Sequence, residues 1–184
     1  MSHSATRWDD GLVVVVGAGG GIGQALCEHI ERHAPRLQLC RLGRREAVAL
    51  DLLDDASLQA ARDHVAERLL QQPLRVFVDA TGYLHQGAWQ PEKSWRGLDR
   101  EHLMHQFAIN AVGPALLMKH FLPLLPRQGP SVWATLSAKV GSIGDNHLGG
   151  WYGYRAAKAA LNQLVRTASI ELGRQSPQAV CAAL

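Results

Sequence analysis

Tyr154 and Lys158 are the residues of this chain whose types and spacing most directly suggest chemistry. They stand four apart in the segment Tyr-Arg-Ala-Ala-Lys, so on a helix they share one face, about one turn from each other. A phenol and an ammonium group placed this way address the same small volume and can move a proton. An isolated pair of this kind is more often part of the surface of an amphipathic helix. The other motifs of the chain decide between the two interpretations.

A glycine-rich turn lies far upstream of this pair, between the apolar run Leu12–Val16 and a helical segment. Glycines let the backbone turn sharply and approach a pyrophosphate, which the amide N–H groups and the positive end of the helix then hold. Methyltransferases and flavoproteins use similar turns, so the turn alone is weak evidence. Its position between a buried strand and a helix favours a dinucleotide site. The residues assigned to it are Gly17, Gly19, Gly21, Ile22 and Gly23.

The second predicted strand ends in a basic turn, Cys40 to Arg45. In dinucleotide folds an acidic residue at this point binds the ribose 2′-hydroxyl, whereas arginine accommodates a 2′-phosphate. No acid is present, and planar guanidinium groups pair well with phosphate, so Arg41 and Arg44 favour NADP(H), with NAD(H) the weaker alternative. A solvated basic turn without a ligand is the plainer interpretation. Asp51, slightly downstream, is a candidate to contact the adenine.

These motifs are separated by segments that alternate between strand-like and helix-like patterns. Such alternation predicts an α/β fold, a doubly wound parallel Rossmann sheet with helices on both faces, in one domain spanning residues 1–184. Each motif falls at the carboxyl end of a strand, where ligands bind in such sheets. The predicted strands are Leu12–Val16, Leu37–Arg41, Ala47–Asp51, Arg75–Asp79, Ser131–Leu136 and Ala179–Leu184; the predicted helices are Gly21–His33, Asp54–Leu70, Leu98–Phe121, with Pro114 as a kink, and Trp151–Gly173.

The composition places the protein among globular domains. Of its 184 residues 47% are hydrophobic and 19% charged, which is enough to bury one core and excludes disorder. Three cysteines without ligand spacing indicate reduced thiols, and no signal peptide or membrane-spanning run is visible, so we expect a cytoplasmic location and no membrane partner. The net charge of +3 comes from scattered arginines rather than a basic block, which makes nucleic-acid binding a weak alternative.

The motifs, taken in order over the whole chain, resemble those of the short-chain dehydrogenases/reductases. The branch that they resemble most is the C-factor or carbonyl-reductase-like one, because of the segments Pro91–Ser94, Asn110–Pro114, Gly141–Asn146 and Gly149–Tyr152. The residues that carry the family resemblance are Gly17-x3-Gly21-Ile22-Gly23, Asn110 in a long helix, Ser137 after a strand, and Tyr154-x3-Lys158 in the next helix.

The resemblance implies an NADP(H)-dependent carbonyl reductase or alcohol dehydrogenase. Tyr154 is then the general acid in reduction and the general base in oxidation, with its high phenol pKa lowered by Lys158 and the oxidised nicotinamide. Lys158 also holds the nicotinamide ribose, Ser137 donates to the substrate oxygen, and Asn110 holds a water that links Lys158 to solvent. The substrate is a small carbonyl compound or alcohol. Two alternatives stay open: a dinucleotide-binding signalling protein of the C-factor kind with little turnover, and, more remotely, a methyltransferase.

Three features depart from the family pattern. Val16 stands where many relatives have Thr, and the usual Asn-Asn-Ala-Gly after a central strand is Asp79-Ala80-Thr81-Gly82. Ala80, Thr81 and Gly82 are still expected to form the floor of the cofactor site. The chain also stops at Leu184, before the segments that contact the nicotinamide and select the substrate in relatives. We therefore expect that the C-terminal part of the fold is missing from it.

Histidines and an apolar helix face suggest two further features. His102 and His105 stand three apart on a helix, but no third ligand is in register, so we expect no metal and a solvated or interfacial face. Short-chain enzymes commonly associate through the helices that carry Asn110 and Tyr154. The run Ala115–Met118 fits such an interface, although burial against this chain's own sheet explains it equally well. The resemblance thus implies a homodimer or homotetramer.

Overall fold

Short apolar strands alternate with helices along the whole described part of the chain. A computed structural model describes residues 10–184. The strands are β1 (Gly11–Val16), β2 (Leu37–Leu42), β3 (Leu74–Asp79), β4 (Ser131–Thr135) and β5 (Ala179–Ala183). The helices are α1 (Gly21–His33), α2 (Asp55–Arg68), α3 (Arg100–Phe107), α4 (Gly113–Phe121) and α5 (Tyr152–Gln175).

All five strands run parallel in one sheet with the order β2-β1-β3-β4-β5. Every residue of β1 is buried, as its unbroken apolar sequence predicts for a strand covered on both faces. Val13 and Val15 pack on the side of α1, whereas Leu12, Val14 and Val16 share the core of α2, α4 and α5. The doubly wound Rossmann fold is thereby confirmed. The chain order reverses between β1 and β3, which is where such sheets bind ligands.

The predicted strand Ala47–Asp51 is wrong. This segment makes a single parallel bridge, between Leu42 and Val48, and then folds back so that Leu50 N donates to Gly43 O at 3.2 Å. Its alternating residues Ala47 and Ala49 are exposed, so the segment lacks a second buried face. The sheet of the described residues therefore has five strands, and Ala179–Ala183 is the fifth and lies at its edge next to β4.

The predicted long helix Leu98–Phe121 is continuous but contains a π-helical segment, Ala108–Val112, between α3 and α4. Asp99 caps its start by accepting from His102 N at 2.8 Å. Pro114 has no N–H to donate to the carbonyl four residues earlier, that of Asn110, and the backbone accommodates this with the wider turn. A π segment often marks a functional position in a helix, and here it carries Asn110.

The same run is long and apolar enough, by length and composition, to cross a membrane: Arg100–Leu124 has a mean hydropathy of 1.3 in its best window. The core helix of a globular domain passes the same test. Leu117 and Phe121 are fully buried in the core beneath the sheet, where Phe121 contacts Phe77 at 4.9 Å between ring centroids. The apolar character of this helix is thus used in packing against the sheet.

Candidate active site

The glycine turn connects β1 to α1 and adopts a conformation that specifically needs glycine. Gly17 has a φ of 77°, and its amide and that of Ala18 both donate to Leu42 O, at 2.9 and 3.2 Å. A Cβ on Gly23 would stand 2.2 Å from Gly17 O, so α1 packs directly on the turn. The first turn of α1 has neither an acidic residue nor a side-chain cap. Its free N–H groups and helix dipole therefore favour an anion.

A cavity of about 480 Å³ opens beside this turn. It runs over the carboxyl ends of β1, β2 and β3, where a parallel sheet places its ligand. The residues predicted for the cofactor that line it are Gly17, Gly19, Arg44, Asp51, Ala80, Thr81 and Gly82, whereas Gly21, Ile22, Gly23, Arg41, Asn110, Tyr154 and Lys158 lie outside its lining. The size and the glycine-rich wall fit the adenosine and pyrophosphate part of a dinucleotide.

Of the two arginines predicted from the basic turn, Arg44 lines the cavity and Arg41 does not. The guanidinium of Arg41 binds Glu31 of α1 at 2.8 Å. Arg44 and Arg45 line the cavity instead, together with Glu46, whose carboxylate lies near Gly19. Arg45 was missed in the sequence analysis, although its place in the run Arg44-Arg45 was a usable signal. The cavity lining therefore carries two cations, Arg44 and Arg45, and two carboxylates, Glu46 and Asp51.

Tyr154 and Lys158 share one face of α5, as their spacing predicts. Lys158 Nζ lies 5.8 Å from the centre of the Tyr154 ring and donates to Leu136 O at 2.7 Å. Burial raises the pKa of the Tyr154 phenol. Burial also lowers the pKa of the Lys158 ammonium, against the opposing effect of the Asp79 carboxylate. The expectation that Lys158 lowers the phenol pKa is not met: burial raises this pKa and holds the half-buried phenol protonated.

Ser137 follows β4 directly, at the same edge of the sheet. Its hydroxyl donates to Asn162 Oδ1 at 2.6 Å, and its amide donates to Leu184 O at 2.7 Å. Asn162 was not predicted, but the regular spacing of Tyr154, Lys158 and Asn162, each four residues apart, already places all three on one face of α5. Asn162 therefore orients the hydroxyl of Ser137 from the helix that carries the tyrosine.

Asn110 is fully buried in the π segment, and its side-chain amide is completely engaged. Its Oδ1 accepts from Tyr83 N at 2.9 Å, and its Nδ2 donates to Tyr83 O at 2.7 Å and to Gln106 Oε1 at 2.8 Å. A Cβ on Gly82 would lie 3.7 Å from Asn110 Oδ1 and 4.0 Å from Lys158 Nζ. Asn110 thus fixes the loop after β3 beside the lysine. Gly82 is the point where the cavity and the Tyr154 region meet.

Asp79 ends β3 beneath this region and is almost completely buried. Its carboxylate accepts from Thr81 N at 3.0 Å, from Thr81 Oγ1 at 2.5 Å and from Thr135 Oγ1 at 2.6 Å. Burial raises the pKa of this carboxyl, and the hydrogen bonds from Thr135 and Thr81 and the Lys158 charge oppose the rise. The departure Asp79-Ala80-Thr81-Gly82 therefore replaces amide side chains with a carboxylate held by two threonines, which braces the cavity floor.

The two helix histidines lie in different surroundings from those expected. The prediction of a solvated or interfacial face is wrong for His102, which is 3% exposed because it stacks on Trp89, with 5.3 Å between ring centroids. His105 is half-buried and lines the cavity. Within residues 10–184 no group of three or more His, Cys, Asp or Glu side chains is placed to hold a metal ion.

Known proteins are similar to this chain in sequence or in fold. A 1-hydroxy-2-glutathionyl-2-methyl-3-butene dehydrogenase of Rhodococcus sp. (strain AD45) is 29% identical over 157 residues, 83% of this chain and 67% of that protein. The C-signal protein of Myxococcus xanthus is 37% identical over 75 residues, 41% of this chain and 45% of that protein. An NADPH-bound carbonyl reductase from chicken fatty liver has the same fold, with a TM-score of 0.79 at 23% identity over 96% of this chain and 76% of that chain.

A protein-family model covers most of the chain as well. The model described as Enoyl-(Acyl carrier protein) reductase matches residues 18–181, from the glycine turn to β5. This range contains the glycine turn from Ala18 onward, together with Asn110, Ser137, Tyr154 and Lys158. The chain therefore belongs to the short-chain dehydrogenase/reductase family, and its similarity to named dehydrogenases and reductases supports an oxidoreductase acting on CH–OH groups.

Proposed function

We propose that this protein is an NADP(H)-dependent oxidoreductase that interconverts a carbonyl compound and its alcohol, with Tyr154 as general acid and base. The observation that carries the proposal is the half-buried Tyr154 phenol on the same face of α5 as the buried Lys158 ammonium. Both lie on α5, near Ser137 at the end of β4, and Gly82 joins their surroundings to the cavity. A site for proton transfer thus adjoins a site for a dinucleotide.

Each side chain has a role that follows from its surroundings. The bound nicotinamide supplies or accepts the hydride. In reduction the Tyr154 hydroxyl, kept neutral by burial, gives its proton to the substrate oxygen, and the Lys158 cation stabilises the phenolate that remains. Ser137 turns its hydroxyl from Asn162 towards the same oxygen and stabilises the charge that develops there. Asn110 would hold a water that returns the proton through Lys158, in the π segment where Pro114 offers its carbonyl no N–H.

The preference for NADP(H) rests on the basic turn. Arg44 and Arg45 line the end of the cavity where β2 stops, and guanidinium groups bind a 2′-phosphate through charge-assisted hydrogen bonds. Glu46 faces the same space and opposes this effect. With Asp51 the lining carries as many carboxylates as guanidinium groups, so the preference rests on direct pairing of Arg44 or Arg45 with the extra phosphate of NADPH and not on net charge. The chicken structure of the same fold is described as NADPH-bound, which supports the same choice.

The proposed partners and location follow from a surface groove and from the cysteines. A shallow groove of about 290 Å³ between α4 and α5 is lined by Ala115, Met118, Leu122 and Leu172, which suits association of two copies into a homodimer or homotetramer. The free thiols Cys27, Cys40 and Cys181 suit the reducing cytoplasm. The substrate is a small carbonyl compound or alcohol.

A dinucleotide-binding signalling protein without turnover is the second candidate, favoured by the 37% identity with C-signal. Two measurements on the unmutated protein separate it from the enzyme. NADPH fluorescence is titrated to obtain the dissociation constant, and NADPH consumption is followed with a panel of aldehydes, ketones and quinones. We expect binding together with turnover of at least one carbonyl class. Binding without any turnover favours the signalling protein, and failure to bind NADPH or NADH contradicts both candidates.

A further inference from the structure

The backbone in front of the Tyr154 helix is held in a conformation that is unfavourable on its own. Gly149, Gly150 and Trp151 have φ values of 65°, 66° and 53°, and Trp151 is the only non-glycine residue with a positive φ in the part of the chain described. A bulky residue in the left-handed region persists only where its surroundings enforce it. Trp151 is also the N-cap of α5, and its side chain makes no capping hydrogen bond.

Glu92, from the loop after β3, supplies what this helix start lacks. Its carbonyl accepts from Trp151 N at 2.6 Å, and its carboxylate Oε2 accepts from Gly153 N at 3.2 Å. Gly153 is the second residue of α5, whose N–H an N-cap side chain normally satisfies. A carboxylate at this end also suits the helix dipole. Glu92 therefore caps α5 from a distant part of the sequence, one residue before Tyr154.

The contact leaves no spare room and is buried. The Glu92 side chain is 2% exposed, and a Cβ on Gly153 would meet Glu92 Oε1 at 3.0 Å. Glycine at this position thus lets the carboxylate reach the helix. Because the carboxylate is buried, its removal would leave the N–H of Gly153 without this acceptor, which is costly in the interior.

The same carboxylate begins a chain of buried polar side chains that ends at Asn110. Glu92 Oε1 lies 3.6 Å from His102 Nδ1, an ion-pair distance too long for a hydrogen bond. His102 Nε2 lies 3.3 Å from Gln106 Nε2, and Gln106 Oε1 accepts from Asn110 Nδ2 at 2.8 Å. The network assigns the imidazole proton to Nδ1, facing Glu92. It connects the start of α5 to the π segment on the other side of Lys158.

From these contacts we infer that Glu92 is a positioning residue for the reaction: it fixes the start of α5, and thereby Tyr154, relative to Asn110. It is not one of the residues that line the cavity, and it accepts from the backbone N–H groups of Trp151 and Gly153, so it acts through the backbone of α5. A displacement of the phenol by about 1 Å is enough to lower turnover about 100-fold without changing cofactor binding. Only the expected change in kcat rests on the proposed function; the positioning of α5 by Glu92 does not.

The test compares Glu92→Ala, Glu92→Gln and the control Glu101→Gln, an exposed acid on α3. Glu92→Ala should lower kcat about 10- to 100-fold with the NADPH dissociation constant unchanged. Glu92→Gln keeps an oxygen that accepts from Gly153 N, so it should have most of the unmutated kcat. The control Glu101→Gln should have all of it. A merely structural role predicts a lower melting temperature with normal kcat per folded molecule. That result, or equal losses in the Ala and Gln variants, overturns the inference.

Two further measurements cover the remaining outcomes. If Glu92→Ala does not fold, Gly153→Ala tests the same contact from the helix side: a loss of kcat at unchanged NADPH affinity supports the inference, and normal kcat overturns it. Amide hydrogen exchange of residues 149–156 needs no turnover. It should be faster in Glu92→Ala or Gly153→Ala than in the unmutated protein and near normal in Glu92→Gln, even if no substrate is found; equal exchange in all variants overturns the inference. If the protein shows this exchange pattern but no turnover, the proposed function is wrong and the inference about Glu92 still holds.

Discussion

Substitution of Gly23 by alanine tests how the glycine turn is built. The added Cβ would stand 2.2 Å from Gly17 O, 2.8 Å from Gly17 C and 3.0 Å from Ala18 Cα. All three neighbours are backbone atoms, which cannot rotate away as a flexible side chain does. Gly21, two residues earlier in the same helix, has no atom within 4 Å of its added Cβ. Gly21→Ala is therefore a matched control for the same chemical change.

The expected magnitude follows from these distances. The shortest contact is roughly 1 Å below ordinary van der Waals separation, so α1 must move away from the turn by about that amount. Overpacking of this kind costs about 1–3 kcal/mol in the free energy of unfolding. For a chain of this length that corresponds to a fall in melting temperature of about 2–12 °C. The same shift moves the wall of the cavity that Gly17 forms, so NADPH affinity should fall as well.

Thermal unfolding followed by circular dichroism, together with NADPH fluorescence titration, measures both effects. Gly21→Ala should unfold within about 1 °C of the unmutated protein, since its Cβ enters open space and alanine favours helix over glycine. If Gly23→Ala unfolds at the unmutated temperature and binds NADPH with unchanged affinity, the close packing of α1 on the turn is refuted.

Three further predictions concern charged groups. In calorimetric titrations, Arg44→Ala should weaken the binding of NADPH far more than that of NADH. Arg41→Ala should change the ratio of the two dissociation constants less, because Glu31 binds the Arg41 guanidinium. Equal effects of the two substitutions on this ratio would contradict the prediction. Burial raises the pKa of Asp79, so ionisation of this carboxyl destabilises the folded protein as pH rises above the unfolded pKa of about 3.9. The melting temperature of Asp79→Asn should therefore rise relative to that of the unmutated protein as pH increases from 4 towards neutral. A relative melting temperature that falls over this range would disprove it. The same variant removes a charge that raises the Lys158 pKa, so the alkaline fall in kcat should move to lower pH; an unmoved profile would count against this coupling.

Local sequence pattern was sufficient for much of the fold and for the proton-transfer pair. The unbroken apolar run of β1 predicts a strand buried on both faces, and the glycines after it predict a tight turn. Tyr154 and Lys158 meet because helical spacing alone places them on one face. These features depend on residues that are close in sequence, so they can be predicted without the structure.

Features that depend on distant contacts were not predictable in this way. The segment Ala47–Asp51 has strand-like composition, but only the surrounding chain decides that one bridge forms instead of a ladder. The burial of His102 follows from Trp89 and Glu92, which belong to a loop whose path the sequence does not specify. The role of Arg41 likewise changes because α1 happens to present Glu31 beside it.

The most direct test of the proposed chemistry is the kcat of Tyr154→Phe, measured beside Tyr152→Phe. The first variant removes only the hydroxyl that transfers the proton, whereas Tyr152 lies two residues earlier on the helix, points elsewhere and is partly exposed. With NADPH and a carbonyl compound that the unmutated protein reduces, Tyr154→Phe should bind NADPH normally but lose about 100-fold or more in kcat. Tyr152→Phe should remain near the unmutated rate. Near-normal turnover by folded Tyr154→Phe would contradict the account and remove Tyr154 from the mechanism.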